Sequence, residues 1–165
     1  VPALQSPLKS HSPYVTAADR LQLIKLAIAD NPYFTFSEVE LERQPPSYTV
    51  DTLDYFGQVY PERELFLIMG QDSLRSITGW HQYQEIFRRA KLAVGARPNF
   101  SPLLPPGLEN YRRPSAASRG IVFFPNPKVD ISSSMVRERI KQGKSVRYWL
   151  PPSALTYLQA QKLYT

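Results

Sequence analysis

The chain has 165 residues, 42% of them hydrophobic and 21% charged, a length and balance that suit one globular domain with a real core and exclude a wholly disordered chain. It holds no cysteine and only two histidines, His11 and His81, which removes disulfide scaffolds, thiolate metal sites and thiol catalysis and leaves a multi-histidine metal site almost without ligands. The net charge of +6 is uneven: residues 1–85 carry 6 Lys+Arg against 11 Asp+Glu, a net −5, and residues 86–165 carry 14 against 3, a net +11.

The second half is therefore the place to look for an anionic partner. Nucleic acid and a phosphorylated small molecule are the candidates, with a solvated basic surface as the plainer alternative. No apolar run approaches 18 residues and no leader pattern is visible, so the expectation is a soluble cytoplasmic protein with no membrane partner. Beginning at Val1 without a methionine, the chain reads as a fragment or a processed product. Sixteen prolines, roughly twice average usage, call for many or long loops.

Along the chain, residues 1–15 read as a proline- and serine-rich loop. Residues 16–29 carry a helical stripe through Leu21, Ile24, Ala27 and Ile28, with Thr16 placed as its cap and Asn31-Pro32 as its stop. Phe34, Phe36, Val39 and Leu41 alternate and predict a strand over 34–41. Pro45-Pro46 breaks it, and residues 47–59 return to helical spacing. Residues 64–69 (ELFLIM) form a continuous apolar run of the kind that suits a strand buried on both faces. A helix over 82–90 and a second buried strand over 91–96 (KLAVGA) follow. Residues 99–119, with four prolines and three arginines, predict a long mobile loop. A fourth strand is expected over 121–124 (IVFF). Residues 133–142 then predict a basic helix stopped by Gly143, and residues 152–161 a last helix. The alternation of strand and helix predicts an α/β fold with a mainly parallel sheet, in which ligands sit beyond the carboxyl ends of the strands.

Three segments fall at such ends. Gly70-Gln71-Asp72-Ser73 follows the ELFLIM run, with Trp80 beyond it. Glycine permits close approach of a ligand, Asp72 can bond a ribose or an exocyclic amine, and an indole can stack on a heteroaromatic ring. The plainer alternative makes Asp72 a helix cap and Trp80 core. Ser132, Ser133 and Ser134 open the basic helix, where free N–H groups and the helix dipole favour an anion, and Arg137 adds a guanidinium one turn in. A simple serine cap explains one serine, not three followed by Arg137, Arg139, Lys141 and Lys144. Thr49, after Pro45-Pro46, offers a hydroxyl and an N–H at a helix start, and capping alone explains it equally well. His81, beside Trp80, reads as a ring contact or as a surface residue. There is no phosphate-binding glycine loop, no dinucleotide fingerprint and no nucleophile elbow. Composition and pattern alone stop at a nucleotide- or phosphate-binding α/β protein.

The strings SYTVDTL, GQDS with its following tryptophan, ARP and ISSSMVR, in this order and closed by YWLPPSALTYL, resemble the bacterial nicotinate-nucleotide adenylyltransferases. The likeness spans about the whole chain apart from residues 99–119. It implies a single domain with a Rossmann-like nucleotidyltransferase fold, and transfer of AMP from ATP to nicotinate mononucleotide in NAD synthesis, with Mg2+ carried on the polyphosphate. By the same resemblance Thr49, Trp80, His81 and Lys9 hold the mononucleotide, Trp80 against its ring. Gly70, Asp72, Arg97, Ser132, Ser133, Ser134 and Arg137 hold ATP, with Ser134 and Arg137 acting on its phosphates. Lys9 stands where the family's substrate loop carries a basic residue, preceded here by Leu8 in place of a histidine. The partners implied are these two small molecules, not nucleic acid, and self-association stays open.

The family's G-G-T-F-D-P-x-H-x-G-H segment is absent from the sequence, so a first βαβ unit of about 30 residues is expected upstream. The chain alone is then expected to be poorly stable and weakly active or inactive. Two other readings stand beside this one: a nucleotidyltransferase of the pantetheine-phosphate type, and a non-catalytic nucleotide- or RNA-binding module.

Overall fold

A computed structural model describes residues 1–5, 15–96, 104–125, 127, 129 and 131–165. In chain order the elements are α1 (Ala17–Ile28), α2 (Val39–Glu42), α3 (Thr49–Val59), β1 (Leu65–Gly70), α4 (Gln71–Ser76), α5 (Tyr83–Arg89), β2 (Ala90–Ala96), β3 (Ile121–Pro125), α6 (Ser133–Lys141) and α7 (Pro152–Ala160). They fall into two compact units, residues 48–129 and residues 1–47 with 130–165.

The unit of residues 48–129 holds a parallel sheet in the order β1-β2-β3. Leu65 pairs with Ala90 and Gly70 with Gly95, while Leu92 pairs with Ile121 and Ala96 with Pro125. All three strands thus run out at one end, where Gly70 leads into α4. The core lies on one face of this sheet: Val50 and Leu53 of α3, Leu74 of α4, Ile86 and Phe87 of α5, and Leu92 and Val94 of β2 form one buried cluster. Fully burying each large apolar side chain contributes about 1.5–3 kcal/mol. The same cluster therefore fixes α3 and α5 against the sheet and sets where their ends lie.

Three expectations are corrected in this region. The ELFLIM strand is not buried on both faces. Leu65, Leu67 and Met69 face the core, whereas Phe66 and Ile68 are 51% and 72% exposed, because the helices of this unit pack on one side only. The IVFF strand is the third of the described strands, not the fourth. Residues 104–119 are not a featureless loop: Leu108 is completely buried in the core, and Tyr111 stacks on Phe87 with ring centroids 4.3 Å apart. Ser115 and Ser118 close a small antiparallel bridge, and Ser118 bonds the Tyr111 carbonyl and the Gly120 N–H.

In the unit of residues 1–47 and 130–165, Thr16 caps α1 as expected, accepting the Asp19 N–H at 3.1 Å. Asp19 in turn accepts the Tyr157 hydroxyl of α7 at 2.8 Å, and Ser153 donates to the Leu26 carbonyl at 3.0 Å. The hydroxyls of Thr16 and then Tyr157 hold the Asp19 carboxyl below its ordinary range, and the same Asp19 pushes the Tyr157 phenol up. The strand predicted over 34–41 does not form. The chain there is irregular until α2 begins at Val39, with the Glu38 carbonyl accepting the Leu41 and Glu42 N–H groups. Alternation makes a strand only beside a partner that completes its ladder. Here Phe36 and Glu38 go instead to Lys25, whose ammonium lies 4.5 Å from the Phe36 ring centroid and 3.3 Å from the Glu38 carboxylate. Helix α6 ends at Lys141, and Gly143 just beyond its cap, with φ of +67°, supplies the left-handed stop. No helix among the described residues is long and apolar enough to cross a membrane.

Candidate active site

The unit of residues 48–129 places a ring platform beside a bare helix start. Helix α3 begins at Thr49, and its cap residue Tyr48 makes no side-chain hydrogen bond to the first turn. The side chain of Tyr48 therefore leaves the leading N–H groups of α3 uncapped from its own position. Yet the helix is firmly seated, with Val50 1% and Leu53 7% exposed. Tyr48 turns its ring onto His81, centroids 4.2 Å apart and planes at 27°. This contact joins Thr49 to the Trp80-His81 turn across 32 residues of sequence. A second tie lies at the far side of the helix, where Arg89 of α5 pairs with Asp54 of α3 and Glu85 of its own helix. The bond to Arg89 holds the Glu85 carboxyl below its usual range, and Asp54 with Glu85 raises Arg89.

Trp80 is half-buried against the core, so the structural reading of its indole is part of the answer. Its Nε1–H is buried and meets no acceptor among the described residues, an uncommon condition that marks a place for a ligand or water. The Trp80 backbone N–H is already spent on the Ile77 carbonyl at 2.9 Å. The neighbouring His81 N–H makes no backbone hydrogen bond among the described residues. Gly70 ends β1 and serves as the cap position of α4, with open space where a Cβ would stand. Asp72 is not the α4 cap; it sits in the first turn, exposed.

The other unit holds the serine-arginine helix start. Ser132 caps α6, its Oγ accepting the Met135 N–H at 3.2 Å. Ser134 Oγ accepts from Arg137 Nη2 at 3.0 Å, which draws the guanidinium back over the first turn. A cavity of about 400 Å³ opens here, lined on one side by Ser132, Ser133, Val136 and Arg137 and on the other by Ile24, Trp149 and Leu150. Hydroxyls, helix N–H groups and a guanidinium thus converge over an apolar floor, a set that holds phosphate oxygens. Arg139 stacks over Trp149 at 4.8 Å and donates to the Ser145 carbonyl, so it serves the local fold.

Lys9 and Arg97 lie outside the described residues. The other expected site residues fall into two groups: Thr49, Trp80, His81, Gly70 and Asp72 in one unit, and Ser132, Ser133, Ser134 and Arg137 in the other. Tyr48 and Gln82 were not anticipated. Their only signal in sequence is adjacency to Thr49 and His81.

The comparisons agree with this architecture. The cytidylyltransferase-like family model matches residues 1–139. A Herpetosiphon aurantiacus protein named "Probable nicotinate-nucleotide adenylyltransferase" is 38% identical over 164 residues, covering 99% of this chain and 81% of the relative. A Thermus thermophilus protein of the same name is 38% identical over 152 residues, covering 92% and 75%. Among solved structures, Plasmodium falciparum nicotinic acid mononucleotide adenylyltransferase complexed with NaAD is similar in fold, with a TM-score of 0.67 at 15% identity over 94% of this chain and 78% of that one. The chain belongs to the cytidylyltransferase-like family and, within it, to the nicotinate-nucleotide adenylyltransferases.

Proposed function

We propose that the residues described above carry out the family's reaction, transfer of AMP from ATP to nicotinate mononucleotide with release of pyrophosphate. A phosphate oxygen of the mononucleotide attacks the α-phosphorus of ATP. The bond from that phosphorus to the bridging oxygen breaks, and pyrophosphate leaves with the electron pair. The work of the protein is then positioning and neutralisation of charge. The observation that carries the reading is the Tyr48–His81 stack, which sets the uncapped start of α3 beside the Trp80-His81 turn. A planar pyridine packs on Trp80, and its carboxylate takes the N–H and hydroxyl of Thr49 and the N–H of His81. Such donors reward a carboxylate over a neutral amide, because charge-assisted hydrogen bonds are roughly twice as strong.

Ser133, Ser134 and Arg137 at the start of α6 take the β- and γ-phosphates of ATP, and Gly70 and Asp72 line its adenosine. Lys9 and Arg97 extend the mononucleotide and ATP contacts respectively, on the resemblance alone. Among the described residues no three His, Asp or Glu side chains gather to hold a metal. By the resemblance, Mg2+ enters with the polyphosphate that it accompanies. Both substrates are charged nucleotides, which fits an enzyme of the cytoplasm.

The test offers the purified protein ATP with either nicotinate mononucleotide or phosphopantetheine, and follows deamido-NAD or dephospho-coenzyme A together with pyrophosphate. Product from nicotinate mononucleotide and not from phosphopantetheine is expected, at the low rate foreseen for the chain by itself, together with saturable binding of nicotinate mononucleotide. Preference for phosphopantetheine, or salt-sensitive RNA binding that Arg137→Ala weakens while ATP affinity is unchanged, contradicts the assignment.

A further inference from the structure

A polar cavity of about 430 Å³ lies in the unit of residues 48–129, and its lining includes Glu64, Arg88, Lys91, Ser115, Ser118 and Arg119. It sits where the strands begin. Leu65 pairs with Ala90 at this end and Gly70 with Gly95 at the other, so at roughly 3.3 Å per residue about 17 Å of strand separate it from the α4 start. Three cations line it against one carboxylate. Lys91 pairs with that carboxylate, Glu64, at 2.9 Å, and Arg88 pairs with Glu85 of its own helix, which Arg89 already shares. Arg119 has no carboxylate partner among the described residues. Its backbone N–H donates to the Phe87 carbonyl at 2.7 Å and its Nε–H to the Arg88 carbonyl at 3.1 Å. These two bonds close the end of α5 and leave both Nη groups of the fork unspent. The turn before Arg119 is itself fixed. Ser115 and Ser118 bond each other's backbone, and the buried Ser118 hydroxyl ties the Tyr111 carbonyl to the Gly120 N–H. A guanidinium held at two points on a packed turn is preorganised, so little freedom is lost when an anion takes its fork.

We infer that this cavity is a second anion site, for a diphosphate group, at the end of the sheet opposite the α4 start. Three cations less one carboxylate leave an excess of two positive charges, which suits a multiply charged oxyanion. Arg88 and Arg119 present planar forks that match phosphate oxygens two at a time, and Lys91 adds a point charge. No ring lines the cavity among the described residues, so a base has nothing to stack on and the diphosphate itself is what is read. Glu64 holds Lys91 while the site is empty and opposes the incoming anion, so it sets the affinity. The site is independent of the reaction proposed above and uses none of its residues.

The test is an amide chemical-shift titration of the whole chain with inorganic diphosphate, free of divalent metal and at constant ionic strength, which holds screening fixed. Sulfate and citrate serve as control anions. Saturable shifts of the Lys91, Ala116 and Arg119 amides are expected, resolved from any at Ser133 and Ser134, with diphosphate bound more tightly than either control. Adenosine diphosphate in a separate arm distinguishes the sources: binding as tight as that of diphosphate assigns the end of a nucleotide as well, and exclusion assigns the free ion. Arg119→Gln is expected to weaken diphosphate about tenfold, the loss of hydrogen bonds to a charged group. Glu64→Gln is expected to tighten it about threefold, the scale of one partly exposed charge pair. That opposite sign cannot come from a damaged fold, so it stands even where Arg119→Gln fails to fold. Wild-type Lys91 and Arg119 amides that do not saturate overturn the inference. So does sulfate or citrate bound as tightly as diphosphate, the mark of a plain basic surface, or a Glu64→Gln chain that binds no tighter than wild type.

Discussion

The starts of α3 and α6 are both anion-directed in this account, yet they are built in opposite ways. Helix α3 has no side-chain cap, holds Val50 and Leu53 in the core, and is faced by rings. Helix α6 is capped by its own Ser132, buries no residue, and carries the charge itself in Arg137. The difference teaches what each end can select. A start made of fixed neutral donors on a packed core discriminates by geometry, as recognition of one planar carboxylate requires. A start made of hydroxyls and a guanidinium supplies charge to an ion whose oxygens are alike on every side.

Substitutions at the two helices sharpen this contrast. The largest effect on stability is expected from Leu53→Ala in α3, which leaves a cavity and costs about 2–5 kcal/mol, whereas Met135→Ala in α6, at a side chain 42% exposed, changes stability by roughly 0.5 kcal/mol or less. Urea titrations of the two variants check the pair, and equal losses break the comparison. On activity the order reverses. Arg137→Ala is expected to lower kcat/KM for ATP by about 10²–10³-fold, as removal of one transition-state charge partner does, with Arg137→Lys restoring only part of it. Steady-state assays at saturating mononucleotide decide this.

Ser132→Ala is expected to cost about 1 kcal/mol, the usual worth of a helix cap, read as a lower melting temperature. At α3 there is no side-chain cap to remove, so the counterpart Tyr48→Phe leaves stability unchanged. The smallest effect concerns pH. The Asp19 carboxyl is depressed by its bonds from Thr16 and Tyr157, so its stabilisation is present above the ordinary carboxylate range and is lost as pH falls through the lowered value. Tyr157 is raised by Asp19, so its share is present below the ordinary phenol range and is lost as pH rises through the raised one. Tyr157→Phe should therefore flatten both the acid and the alkaline limb of the melting-temperature profile. Parallel profiles for wild type and variant would show that this bond contributes nothing.

Much of the fold was legible because its signals are local. Thr16, Asn31-Pro32 and Gly143 bound their helices, and the apolar runs at 64–69, 91–96 and 121–124 became the three strands of the sheet. What was not legible depends on a partner distant in sequence. Phe34–Leu41 alternates like a strand, but Lys25 claims Phe36 and Glu38. Leu108 looks like any leucine in a proline-rich stretch until the Phe87–Tyr111 stack closes the core around it. At the site, residue types such as Thr49, Trp80 and Arg137 announced their chemistry. The Tyr48–His81 contact and the spent Trp80 N–H could not be read, since each is a matter of where backbone and rings meet in space.

The division of labour between the two helix starts is tested most directly by amide chemical-shift titration of the labelled protein with two probes, nicotinate riboside and inorganic tripolyphosphate. The account predicts that the riboside, which has a carboxylate and no phosphate, moves the Thr49 and His81 amides and leaves Ser133 and Ser134 in place. Tripolyphosphate is predicted to do the reverse. A riboside response centred on Ser133 and Ser134, with Thr49 and His81 unmoved, would contradict it.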